Sequence, residues 1–483
     1  MPVNLKLPLE WKKADPEELE MLGDLQCNIL KGHGRRQTQQ IFLRFKQGEA
    51  EATINRKYIQ EVIATAVVSQ LKQLKDSDAL RHLSVEEKQE RLKESNPIIA
   101  FFLSHTGYQS LGITDKLPTP TDDAFVKGMK KRVDLKDDIK NFEEYFKGDI
   151  DAMLLIADAN QGFLVKRLIA FLRSMPSSIE IVGTEIGNQQ EDGRGEGVEH
   201  FGYVDGRSQP LLLVEDIRAE MKDAGIEHVK DFKWDPSFGI NTALVRDKAG
   251  KSQNSYGSYF VFRKLEQNVK AFKDKEQFLG NKLDLGEDRE IAGAFIVGRF
   301  EDGTPVILSD KETGVISNNF NFKNDPNGAK CPFASHVRKT NPRGDSVKLS
   351  TPESKVTLKM ERSHIMARRG ITYGERWIGM RDRPTKDVGL LFMAYQRNIS
   401  EQFEFTQQSW VNDPDALRKE TGIDPVLGQV RTGEVPPAQK WPSEYGKSEN
   451  PVSFDFHGFV TTKGGEYFFA PSISMLKSLE PQQ

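Results

Sequence analysis

Cysteine is nearly absent: the 483 residues hold two, Cys27 and Cys331. One disulfide is the most they allow, and no CxxC or Cys/His set of zinc spacing accompanies them. A disulfide-built extracellular module and a structural zinc site are therefore both excluded as the organising principle. Long apolar runs are missing too. No stretch approaches the roughly 18 consecutive apolar residues of a membrane span, and Pro8, Glu10 and lysines interrupt the first thirteen residues where a secretory leader would be apolar. Charge of one sign is also lacking. Against 71 acidic residues stand 68 basic ones, so there is no field to attract a polyanion, and nucleic acid is not expected as a partner. These absences point to a reduced, cytoplasmic setting without a membrane partner. What remains is 37% hydrophobic and 29% charged, an ordinary globular composition long enough for two or three domains.

Along the chain, residues 24–34 form a polar turn in which Gly32 and Gly34 flank His33, and 41–45 read as a largely buried strand. His33 is either a ligand-facing histidine or a plain loop residue. Ile59, Val62, Ile63, Ala66, Val67, Leu71 and Leu74 recur at steps of three and four, which predicts one apolar helix face. Residues 97–104 and 151–157 read as strands, 161–173 as a helix and 178–182 as a strand, with a polar, proline-bearing excursion at 113–140. The first half thus runs β, α, β, insert, β, α, β. The second repeats that order loosely, with strands at 257–263 and 389–396, a helix at 399–410 and a closing apolar run at 464–471. No residue-level repeat links the halves, and the order of elements is compatible with a ferredoxin-like sandwich.

Three stretches carry chemistry. In residues 331–343, His336 stands between two prolines with Arg338, Lys339 and Arg343 close behind. Proline stiffens the backbone on either side, a neutral imidazole is a proximal ligand for haem iron, and cations nearby suit haem propionates. In residues 200–210, Gly202 and Gly206 let the backbone approach a flat ligand and hold Asp205 between them. The same Asp-Gly pair also makes an ordinary β-turn. In residues 363–374, His364, Arg368 and Arg369 precede Tyr373 and Gly374. His364, and Cys331 as a thiolate, stay open as alternative iron ligands.

Together these stretches resemble the dye-decolourising peroxidase family. Gly202 to Gly206 fits its GxxDG signature, 331–343 is similar to the segment of its proximal histidine, and 365–374 to that of its distal arginine. Residues 28–34 and 257–269 are similar to the family as well, and the long insertions match its large, class C/V-like subgroup. The resemblance implies an α+β fold of two ferredoxin-like halves, each an antiparallel sheet with peripheral helices, with haem held between sheet and helices in the second half. The division it implies is an extension at 1–23, a first half at 24–215, a second at 216–475 and a tail at 476–483. It further implies one haem b per chain, with His336 as the axial metal ligand, Asp205 as the distal acid and Arg368 as the distal arginine. Arg338, Gly206 and Arg207 are expected beside the cofactor. Arg369 is the adjacent alternative to Arg368, and only register against Tyr373 and Gly374 separates them. An acid paired to the proximal histidine is expected too, with Asn398 and Glu401 in the right region.

The activity implied is a peroxidase that uses hydrogen peroxide to oxidise dyes, phenols and similar small aromatic reductants in one-electron steps. A carboxylate in the distal position, where plant-type peroxidases carry histidine, leads to an acidic optimum as the expectation. Trp377, Tyr395 and Trp410 are either electron relays or core packing, and Met360 and Met366 are read as core. A non-catalytic haem carrier or sensor would use His336 while Asp205 and Arg368 merely pair, and a haem-free binding module would use none of the three. The oligomeric state is left open.

Overall fold

The strand at Gln37–Phe45 (β1) carries Ile41, Phe42, Leu43 and Phe45, all buried, so apolar side chains leave from both of its faces. A strand of that kind belongs in the middle of a sheet covered on two sides. It pairs antiparallel on one edge with Ala152–Asp158 (β3) and on the other with Ile179–Asn188 (β4), and Ile98–Leu103 (β2) extends the sheet beyond β3. Helices at Glu49–Tyr58 (α1) and Gln161–Ser174 (α2) fill the connections. The spatial order β2-β3-β1-β4 is that of a ferredoxin-like unit. The computed structural model describes residues 3–81, 83–84, 86–87, 90, 94–286, 290–350, 355–376 and 383–480.

The second half builds the same arrangement from different residues. Its central strand, Tyr256–Gln267 (β5), is flanked by Gly389–Gln396 (β8) and Val460–Ala470 (β9), all antiparallel. Two short strands, Ala367–Arg368 (β6) and Ile371–Tyr373 (β7), pair with β8 on its far edge. Helices at Val269–Lys282 (α3) and Glu290–Val297 (α4) follow β5, and a short helix at His336–Thr340 (α5) precedes β6.

One ten-stranded sheet contains both units, joined where β9 meets β2. That junction has a single register pair, Phe469 with Leu103. The buried Gln26 side chain supplies what the strands do not: its amide donates to Phe101 O and Pro471 O, and its oxygen accepts from Phe101 N, each at 2.8 Å. At the opposite ends of the sheet β4 comes back against β7. Thr372 Oγ1 donates to Asn188 O at 2.6 Å and accepts from Gln190 N at 3.1 Å. The sheet therefore curls towards closure, and its end β7 leads the chain out of β6, which carries Arg368. Among the described residues no helix is long and apolar enough to cross a membrane.

Candidate functional site

His336 is the first residue of α5, and its place is set from both sides. Before it, the buried Ser335 hydroxyl donates to Phe295 O at the end of α4. Gly298, at φ +98°, lets Val337 come close: a Cβ there would lie 2.8 Å from the Val337 Cβ. The ring itself bonds through Nδ1 to Asp424 Oδ2 at 2.9 Å. Asp424 is fully buried, and its Oδ1 accepts the amides of Val426 and Leu427, both at 2.8 Å. Burial alone would raise the Asp424 carboxyl, but the charge and hydrogen bond of His336 and those two amides outweigh it and hold its pKa below the ordinary value. The carboxylate fixes the imidazole tautomer and leaves Nε2 as the nitrogen that could coordinate a metal.

Asn398 and Glu401, expected in this role, do not reach the histidine. The Asn398 side chain accepts from Glu401 N at 2.6 Å, capping the turn that begins there, and Glu401 is exposed. Asp424 was missed because it lies in a stretch legible only as loop. Its signal is faint: an acid followed by Pro425, whose next two amides turn back on the carboxylate.

His336 lines a cavity of about 720 Å³, and so do Asp205, Gly206, Arg207 and Arg368. The structure therefore gathers every proposed site residue except Arg338 around one space. Its volume and its apolar walls, which include Leu265, Val297, Leu390, Phe392, Phe403 and Leu427, fit a flat ligand of cofactor size. Asp205 is held by its amide, which donates to Gly197 O at 2.9 Å, and Gly206 takes φ +76° directly after it. The Arg368 guanidinium donates to Arg207 O at 2.7 Å, while its own amide donates to the Gln209 side chain at 3.0 Å. No ion pair joins Arg368 to Asp205 among the described residues, so the two are not simply neutralising each other.

Arg369 also lines the cavity, but its side chain is committed to the N-terminal segment. Its guanidinium donates to Asn28 O and Ile29 O at 2.9 Å and to Arg368 O at 2.8 Å, which fastens the N-terminal segment to the barrel. His364 lies on the cavity rim with its ring stacked on Phe405 at 3.5 Å and its Nδ1 against Glu401 O. Cys331 is buried away from the cavity wall, and burial pushes its thiol up to about 12, which removes it as a thiolate ligand.

Arg338 is not on the cavity wall. It is fully buried, paired with Asp325 at 2.8 Å and Asp345 at 2.7 Å, and lies between the rings of Phe322 and Phe333. Its charge is already compensated, so it braces the loop before His336 instead of meeting a ligand. Two buried cations beside Ser208, Arg299 and Arg343, lack such compensation. Arg299 lines the cavity, and both donate to Ser208 Oγ and to carbonyls around residues 303–320. Neither has a carboxylate partner among the described residues, and Arg343 Nε has no hydrogen-bond partner at all. Burial pushes Arg299 down to about 10 and holds Arg343 well below its ordinary value. Two buried guanidiniums without a counter-charge are costly, and the two propionates of a haem would supply that charge.

The remaining candidates divide. Tyr395 is fully buried in β8 against Phe102 and Phe260, and Trp410 is buried against Phe405 and His364 beside the cavity. Met366 is buried, but Met360 is 49% exposed and is no core residue. Trp377 lies outside the described residues. His33, left open by the sequence, lines the cavity and accepts Arg35 N through Nδ1 at 2.8 Å.

Comparison with known proteins agrees with this geometry. Residues 24–190 match the domain family described as DyP dimeric alpha+beta barrel domain, and residues 239–421 that described as Dyp-type peroxidase, C-terminal. The multifunctional dye peroxidase DyP2 of Amycolatopsis sp. is 42% identical over 99% of this chain and all of its own. Its solved structure superposes with a TM-score of 0.87, covering 99% of this chain and 100% of that one. The DyP-type peroxidase of Anabaena sp. superposes with a TM-score of 0.86 at 38% identity, over 98% of this chain and 97% of that one. A dye-decolorizing peroxidase solved in complex with 2,6-dimethoxyphenol superposes at 0.71 with 25% identity, over 95% and 98% of the two chains.

Proposed function

This chain belongs to the dye-decolorizing peroxidase family, and from that premise we propose that it is a haem b peroxidase in which His336, Asp205 and Arg368 serve hydrogen peroxide as substrate. The observation that carries the reading is the convergence of those three side chains, from three distant stretches, on one cavity with an unused imidazole nitrogen and the buried Arg299, which has no carboxylate partner among the described residues. His336 Nε2 would hold the iron, with Asp424 behind it, and Arg299 and Arg343 would meet the propionates. Bound there, haem would supply the iron at which peroxide is reduced and to which reductants return two electrons singly.

The chain's own groups move the proton. With haem bound, Asp205 would take it from one peroxide oxygen and return it to the other, which would then leave as water. Arg368 is preorganised by Arg207 O and Gln209 to stabilise negative charge on the departing oxygen. Losing Asp205 should cost about 10²–10⁴ in the peroxide step, and losing Arg368 about 10²–10³. An acidic optimum remains the expectation for a carboxyl in this role.

Phenols and dyes are the proposed reductants, supported by the relative solved with 2,6-dimethoxyphenol. A second cavity of about 190 Å³ shares residues 206–211 with the first and adds Trp234 and Phe238, a wall on which one aromatic ring can stack. For larger dyes, Trp410 and Phe405 form an aromatic cluster with His364 of the cavity wall. Two free, buried cysteines support a reducing, cytoplasmic setting.

An absorption spectrum of purified protein, with and without one equivalent of peroxide, tests the reading. A haem spectrum that changes on peroxide addition and recovers with a phenol is expected, and His336→Ala should lose the haem spectrum. A haem spectrum indifferent to peroxide would instead favour a carrier.

A further inference from the structure

Glu199 stands six residues before Asp205 and lines the same cavity. Both of its carboxyl oxygens are used by the turn that follows. Oε1 accepts from the Tyr203 amide at 3.0 Å and Oε2 from the Phe201 amide at 2.8 Å, with the Gln267 side-chain amide as a second donor to Oε2. The main chain closes the same turn: Glu199 N donates to Tyr203 O and Gly202 N to Glu199 O, each at 3.0 Å. Gly202 completes it at φ +106°, a conformation that favours glycine. Asp205 leaves this turn at once, anchored by its own amide to Gly197 O. One carboxylate is thus the peg around which residues 197–205 are wound.

The donors around Glu199 are all N–H groups, which suits an acceptor-only side chain. Yet no lysine or arginine forms an ion pair with it among the described residues. From β5 the neighbouring group is the neutral amide of Gln267. From α3, Phe272 stacks on Phe201 at 3.9 Å and Lys273 sits behind the Tyr203 ring. The charge acting on it from its own loop is that of Asp205. Arg299, His336 and Arg368 line the same cavity.

We propose that Glu199 is a positioning residue for Asp205, pegging the turn that carries the acid and forming with it an interacting pair of carboxyls on the cavity wall. The proposal rests on the reading of Asp205 as the group that moves the peroxide proton. Burial raises the Glu199 carboxyl to about 7, the amides of Phe201, Gln267 and Tyr203 oppose that rise, and Asp205 adds to it. Above that pH the carboxylate holds three donors; below it, protonation removes an acceptor and slackens the turn.

The test compares wild type with Glu199→Gln, Glu199→Asp and Asp205→Asn, reading the peroxide step by stopped flow from pH 5 to 9 and the protonated-carboxyl band by infrared difference titration. Wild type should show an inflection and a carboxyl band that bleaches near pH 7. Glu199→Gln should lose both, and its rate should fall about 10- to 100-fold through misplacement of Asp205. Glu199→Asp, shorter but still charged, should lose rate and keep a titration. In Asp205→Asn the band should persist and bleach at lower pH, because the neighbouring charge is gone. Haem affinity should be unchanged throughout. A Glu199→Gln protein with wild-type rate and profile, or a band that survives in it, overturns the proposal. A fast peroxide step in Asp205→Asn would instead overturn the reading of Asp205, and the band position would still judge the pairing.

Discussion

His336 is one of eight histidines; it lines the cavity with a fully buried carboxylate behind it. Its candidacy was legible because prolines and cations mark the stretch around it. Its partner was not, since Asp424 lies 88 residues away in a loop without a periodic pattern. Asp424→Asn keeps the shape but loses the charge that orients the ring, so haem affinity should fall about 10- to 100-fold, as read by titrating the Soret absorbance. His33 gives a pH prediction. Burial first, and the charges of Arg35 and Arg369 next, hold its pKa at about 3 in place of 6.5. The folded value lies below the unfolded one, so between those two pH values the unfolded chain binds a proton that the folded chain refuses. The neutral ring's stability is therefore fully present above 6.5 and is lost as pH falls towards 3. Plotted against pH, the melting temperature of His33→Asn should fall less steeply than wild type over that window.

Among the elements, the long strands announced themselves through apolar runs, as at 98–103, 152–158 and 389–396, because a strand covered on both faces has no polar side to show. The short strands β6 and β7 could not be read that way. Two and three residues carry no period, and their pairing with β8 is a tertiary event. The same is true of the meeting of β4 with β7. There Gly187 faces Ile371 and Thr38 so closely that a Cβ has no room. Gly187→Leu should force the two strands apart at an estimated cost of about 1–3 kcal/mol, measured by denaturant unfolding. It should also loosen Arg368, one turn of chain upstream, so its peroxide step should slow while haem content holds.

At the scale of the molecule, the buried cations are arranged by what compensates them. Arg338 has Asp325 and Asp345 and serves the fold; Arg299 and Arg343 have no carboxylate partner among the described residues, and on the proposed reading the haem propionates would be theirs. Haem should therefore raise the melting temperature by supplying the missing charge as well as by mass action. Arg343→Met removes one unpaired cation from the empty site and one partner from the filled one. Its affinity for haem should drop roughly ten-fold or more, and the thermal shift on loading should shrink, while the unloaded protein should melt no lower than wild type. Differential scanning fluorimetry with and without haem reads both.

The sequence by itself determined the repeated order of strands and helices and the three stretches that carry an imidazole, an acid and a guanidinium. These depend on local patterns: apolar period, glycines around one aspartate, prolines around one histidine. Only the tertiary structure decided which acid backs His336, which arginines lack a counter-charge, and that Glu199 shares a wall with Asp205. Those relations are contacts between distant segments, and burial, which sets the charge state of each, exists only after the sheet has curled around its cavity.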